Sequence, residues 1–151
     1  VATLLEYLGA KERRPRVIED CVLLVEDEVQ RKSGLTGLAI KAAFATVKAV
    51  KPGFIAEAVD HLLDDFARRL DPFYQSHQQA GGRSLTDHFR GQSAAIAEAL
   101  LGITDERAKR AKNAMVKKTY EKLRPSAKKH VEEAVPGIGR LIEKHTAQPI
   151  S

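Results

Sequence analysis

The sequence has no tryptophan, one cysteine and one methionine, and aromatic residues make up 5% of it. A lone Cys21 cannot close an internal disulfide, so a reducing, cytoplasmic setting is expected. No apolar run approaches the roughly 20 residues of a bilayer span, so no transmembrane segment is expected. No basic-then-apolar leader with a small-residue cleavage site opens the chain, so no export signal is expected either. The β-branched residues never alternate with polar ones over a strand-length window, which argues against a sheet. Catalytic signatures are scarce too. Gly81-Gly82-Arg83-Ser84 resembles a phosphate loop only superficially, because it lacks the Lys-Ser/Thr ending and a preceding strand. The serines have no local histidine–acid context.

What is present favours helix. Alanine, leucine, lysine and glutamate dominate, with 43% hydrophobic and 30% charged residues over a length of 151. The expected architecture is all-α, one helical domain over residues 1–151, a bundle of roughly nine helices. Ala2 to Leu8 opens it. Pro15 suits the first turn of a second helix, whose Ile18, Cys21, Val22, Val25 and Val29 form an apolar stripe before Ser33-Gly34 stops it. On that stripe Cys21 is expected to be a buried, inert core residue. Leu35 to Lys51 is Ala-rich and ends at Pro52. Ile55, Val59, Leu62, Leu63, Phe66 and Leu70 mark one face of a fourth helix. Asp71-Pro72 reads as a cap and first-turn proline opening a fifth, which Gly81-Gly82 ends. Ser84 with Asp87 resembles a capping box for a short helix to Arg90. Ser93 is expected to cap Ala94 to Leu101, Gly102 to close it, and Thr104 to open a basic helix to Leu123. Pro125 and Pro136 read as the starts of the last two helices. A weak internal echo, Ile40–Phe44 before Pro52 and Val116–Tyr120 before Pro125, suggests a pseudo-repeat.

Three motifs carry a resemblance. Lys51-Pro52-Gly53-Phe54, Tyr120-Glu121-Lys122-Leu123-Arg124-Pro125 and Lys128-Lys129-His130-Val131-Glu132-Glu133-Ala134-Val135-Pro136 resemble an uncharacterised family of small helical bacterial proteins, of actinobacterial and myxobacterial type. The resemblance implies a bacterial, cytoplasmic helical domain. It supplies no activity and no site residues.

Charge is the most uneven property. Arg107, Lys109, Arg110, Lys112, Lys117, Lys118, Lys122, Arg124, Lys128 and Lys129 are ten basic residues opposed by Glu121 alone between positions 107 and 130. That segment carries 10 − 1 = +9 against +5 for the chain, so the remainder sums to 5 − 9 = −4. At about 100° per residue, Arg107, Arg110, Lys117, Lys118, Lys122 and Arg124 share one face of an amphipathic helix. With Lys128 and Lys129 they are the candidate anion-binding residues, for an acidic protein or nucleic acid; the alternative is a solvated face that keeps the protein soluble. Tyr120 points away from that face, which disfavours single-strand stacking. Glu57, Asp60 and Asp64 form an acidic stripe that could meet the basic helix within the fold or across a homodimer.

Other constellations are thinner. Gly102-Ile103-Thr104 resembles the turn of a helix-turn-helix, although Glu98 stands where a small residue is required. His61 and Asp65 lie one turn apart without a second histidine at ligand spacing. His77 and His88 flank the Gly81-Gly82 loop with Asp87, the one place where a small-ligand or enzyme site is considered. No catalytic residue, metal site or cofactor is assigned. The expected class is a non-enzymatic protein acting by protein–protein interaction, with self-association as a dimer; the alternatives are a DNA- or other polyanion-binding module using residues 107–130 and a small-ligand binder or enzyme at the His77–His88 loop.

Overall fold

The computed structural model describes residues 2–150. Among them stand seven helices and no strand: α1 (Leu4–Gly9), α2 (Arg14–Arg31), α3 (Gly34–Val50), α4 (Phe54–Ala80), α5 (Leu85–Arg90), α6 (Ser93–Lys109) and α7 (Ala114–Thr146). The all-α reading holds, and the difference from nine helices has a local cause at each merged junction.

Asp71 does not cap a new helix at Pro72. Its carboxylate instead accepts a hydrogen bond from the Leu4 amide at 2.9 Å, so it caps the start of α1 from the middle of α4. Pro72 is exposed inside α4, where a missing amide costs a hydrogen bond but meets no packed neighbour. Pro125 and Pro136 likewise lie inside α7, which runs on for 33 residues. The echoed segments therefore differ: α3 ends before Pro52, whereas α7 continues through Pro125. Gly102 sits within α6, not at its end. Ser93 is the first helical residue rather than the cap, and its hydroxyl donates to the Arg90 carbonyl. Ser84 does cap α5, accepting from the Asp87 amide at 3.1 Å.

The basic helix expected from Thr104 to Leu123 is divided. α6 stops at Lys109, and Asn113 starts α7 by accepting from the amides of Met115 and Val116 at 2.9 and 3.1 Å.

α7 is the spine. It packs against α6 at its beginning, α2 and α3 along its middle, and α5 near its end. Antiparallel pairs set the register: Asp105 with Arg124 between α6 and α7, Lys32 with Glu133 between α2 and α7. At the far end Asp20 meets Lys144 and His145, and the Arg13 guanidinium donates to the carbonyls of His145, Gln148 and Pro149. Those carbonyls lie at a helix C-terminus, where a cation is favoured. The core gathers Leu4, Val17, Ala67, Phe89, Ile96 and Val135, all with no exposed surface.

Packing is not uniform. The chain exposes 8844 Å², whereas a compact monomer of 16.6 kDa exposes about 7600 Å². α3 is the loosest element, with only Gly37 and Val47 of its 17 residues buried. Gly34 and Gly53, at the two ends of α3, hold left-handed backbone with φ of 73° and 79°.

Candidate functional site: a cation-rimmed apolar cleft

The break between α6 and α7 creates a surface feature that an unbroken basic helix would lack. The turn folds α7 back along α6, and the start of α4 closes the third side. Between them lies a cleft of about 380 Å³. Phe54, Ala58, Leu62, Ala108, Ala111 and Val116 give it an apolar floor, all half-buried. Lys51, Arg107, Lys112 and Lys117 stand round it with His61, all exposed. Among the described residues, no aspartate or glutamate lines it. The positive end of the α7 dipole also points here. Lys51 reaches over the Phe54 ring, with Nζ 5.8 Å from its centroid.

Behind this cleft is a buried-side polar network. Tyr120 donates its hydroxyl to Asp105 Oδ1 at 2.6 Å, and Arg124 grips the same carboxylate with bonds of 2.7 and 3.1 Å. The Arg124 hydrogen bond holds the Asp105 carboxyl below its ordinary range, against the opposing effect of burial. Burial, aided by Asp105, pushes the Tyr120 phenol up to about 12. The network fixes α7 against α6 and so fixes the width of the cleft. Sequence reasoning missed Asp105 because it lies just outside the 107–130 window.

The ten basic residues do not act as one face. Arg107 pairs with Asp65, Lys109 and Arg110 with Glu106, Arg124 with Asp105, and Lys128 with Glu98. Lys112, Lys117, Lys118, Lys122 and Lys129 have no ion pair among the described residues. Lys112 and Lys117 border the cleft, Lys118 and Lys122 are exposed on α7 away from it, and Lys129 stands beside α2 and the start of α3. Exposed pairs are weak, so the paired arginines still contribute to the local potential.

The acidic stripe is engaged elsewhere. Arg14 of α2 holds Asp60 and Asp64, each at 2.7 Å, and Lys51 holds Glu57 at 3.2 Å. Only the neighbouring Asp65 reaches the basic segment, through Arg107. His61 faces the cleft, and its carbonyl accepts from Arg107, so His61 and Asp65 are separate features. Gly102-Ile103-Thr104 is uninterrupted helix, which removes the turn that a helix-turn-helix requires.

His77 and His88 do come together, with ring centroids 5.4 Å apart. His77 Nε2 bonds the Arg83 carbonyl at 2.6 Å, and His88 Nε2 accepts from the Gln92 amide at 3.0 Å. Burial, with His77 and the Arg83 guanidinium adding to it, keeps the His88 imidazole below its ordinary value. Asp87 turns away to Arg90. Among the described residues, no three His, Cys, Asp or Glu side chains converge as metal ligands.

Cys21 is an unpaired thiol on the inner side of α2, and burial, then the Asp20 charge, pushes it up to about 12. Among the described residues, no helix is long and apolar enough to cross a membrane. No curated protein and no solved structure matches the chain. A family described as one of unknown function, DUF6918, matches residues 4–146, a span that takes in all seven helices and both walls of the cleft. The chain belongs to that family.

Proposed function

We propose that this protein is a non-enzymatic binding module whose cation-rimmed cleft receives an acidic amphipathic helix of a partner protein. The single observation that carries this reading is the pairing of an apolar floor with a rim of four cations and no acid. An amphipathic helix seats its apolar face in such a groove, and acidic flanks complement the rim. Duplex DNA suits the surface less well, because half of the basic residues are already paired to carboxylates and the floor is apolar. A reducing, cytoplasmic setting suits a chain whose one cysteine is half-buried and unpaired.

The test is fluorescence anisotropy with a labelled peptide of about 16 residues, leucine at i, i+3, i+4 and i+7 and glutamate elsewhere. Binding is expected near the micromolar range, weaker at high salt, and lost for a scrambled peptide of equal composition. Lys112→Glu with Lys117→Glu is expected to weaken it at least about 10-fold, or roughly 1.4 kcal/mol. Tighter binding of a duplex DNA than of the peptide, or no change on charge reversal, refutes the reading.

A second observation favours self-association, through α3 rather than the acidic stripe. Leu35, Leu38, Ala42, Ala45 and Ala49 are exposed at alternating spacings of three and four, and Leu35 is 88% exposed. Two copies related by a two-fold axis through Ala42 set Leu35 of one against Ala49 of the other, large against small. Sedimentation equilibrium tests it: Leu35→Glu with Leu38→Glu should turn a dimer into a monomer, and a parent chain that stays monomeric removes the proposal.

A further inference from the structure

The space between α2, α4, α6 and α7 is not filled, and it opens to solvent past the half-buried Leu24, Val25 and Ile138. A cavity of about 360 Å³ lies there, with Ile40 of α3 on one side. Its walls are almost wholly aliphatic or aromatic, among them Leu24, Val25, Phe66, Val131, Ala134 and Ile138. Small-molecule sites are clefts or cavities that begin near 300 Å³. Water has no partners along such walls.

One end of this cavity is polar. A second space of about 410 Å³ adjoins it, and Glu28, Lys32 and His130 line both. Around that mouth stand Arg31, Lys129, Ser33, Thr36, Ser126 and Glu133. Its two carboxylates are already engaged, since Lys32 Nζ lies 2.8 Å from Glu133 and 3.5 Å from Glu28. The hydroxyls and Lys129 remain as donors.

His130 sits at the junction. Both of its ring nitrogens are buried and neither has a hydrogen-bond partner. Glu133 Oε1 is 3.4 Å from Nδ1, but it lies outside bonding geometry and is held by Lys32. Buried polar atoms are almost always satisfied, so an orphan imidazole between an apolar cavity and a donor-rich mouth is a position for a ligand head group.

We infer that this cavity binds an unbranched medium-chain carboxylate, its chain among the α2, α4 and α7 side chains and its head group at His130. A volume of about 360 Å³ favours a medium over a long chain, and the surplus of donors favours an acceptor head.

Isothermal titration with dodecanoate tests this, with the circular dichroism melt of each variant checked first. The parent chain is expected to bind one equivalent with a Kd in the micromolar range. Ala134→Leu fills the chain site and should weaken binding at least about 10-fold. His130→Leu keeps the volume, removes both nitrogens and should weaken it by a similar factor. Lys112→Glu with Lys117→Glu, in the separate surface cleft, should leave it unchanged. No saturable binding by the parent, equal binding by Ala134→Leu and His130→Leu, or loss on changing Lys112 and Lys117 overturns the assignment.

Discussion

Replacing Gly139 by alanine isolates a close approach of α7 to the backbone of α5. A Cβ at Gly139 would lie 2.9 Å from Thr86 Cα and 3.2 Å from Thr86 Oγ1. The first of these is backbone. Thr86 is held in place, because its hydroxyl bonds Glu143 and its neighbours Leu85 and Phe89 are buried. Overpacking against a fixed neighbour costs about 2–3 kcal/mol, the upper part of the usual range. Alanine in a helix interior returns about 1 kcal/mol relative to glycine. The net loss is therefore about 1–2 kcal/mol, or a Tm lower by about 2–8 °C for a chain of this size. Gly137→Ala is the internal control. Its Cβ would meet Leu24 Cδ1 at 2.6 Å, closer still, but that atom is the end of a flexible side chain beside the apolar cavity. Leu24 can swing aside, so the helix gain survives and Tm should hold or rise slightly. Paired thermal melts by circular dichroism decide the matter. A Gly139→Ala protein that melts at or above the parent, or equal losses in both variants, refutes the reasoning.

Three other outcomes follow from the same contacts. Burial raises the Asp20 carboxyl, but hydrogen bonds from Lys144 and His145 outweigh it, so Asp20 titrates below its ordinary 3.8. Asp105 and Glu133 are lowered as well, by Arg124 and Lys32 first. The stabilisation from all three is complete above the unfolded values of 3.8 to 4.5 and is lost as pH falls through the lower folded values. Urea midpoints should fall below about pH 4.5, and Asp20→Asn should flatten that fall; a midpoint unchanged down to pH 3 would contradict it. With its thiol near 12, Cys21 should react with a disulfide reagent at pH 8 about 10³-fold more slowly than free cysteine, until denaturant opens the fold. Asp105→Asn should cost about 1 kcal/mol, since the pair is half-exposed; an unchanged urea midpoint at pH 7 would contradict it.

Local rules in the sequence predict what stays local. The stripe on α2, the stop at Ser33-Gly34 and the Ser84 cap all depend on residues within one or two turns. Asp71-Pro72 misleads because the same aspartate serves as a cap in either case, and only the arrival of Leu4, 67 positions away in sequence, decides which helix it caps. The charge excess from 107 to 130 is real. Its partial neutralisation by Asp65, Glu98, Asp105 and Glu106 is invisible within that window, because three of those acids come from earlier in α6 and one from α4. Asn113 was the unread signal that splits the basic segment and opens the cleft. For His130 no sequence signal exists, since its interest lies in the partners that tertiary packing withholds.

The two prolines of α7 have a mechanical consequence. A proline has no amide to donate, so the carbonyls of Glu121 and Glu132, four residues earlier, receive no helical bond from positions 125 and 136. The ladder is one bond weaker at each of those places, so bending there meets less resistance than elsewhere in the helix. α7 is thus three stiff rods on two soft joints. The first rod forms a wall of the surface cleft, the middle one carries His130, and the last docks on α5. Each rod has its own clamp: Arg124 on Asp105 for the first, Glu133 on Lys32 and Lys128 on Glu98 for the middle, and His145 with Arg13 and Asp20 for the last.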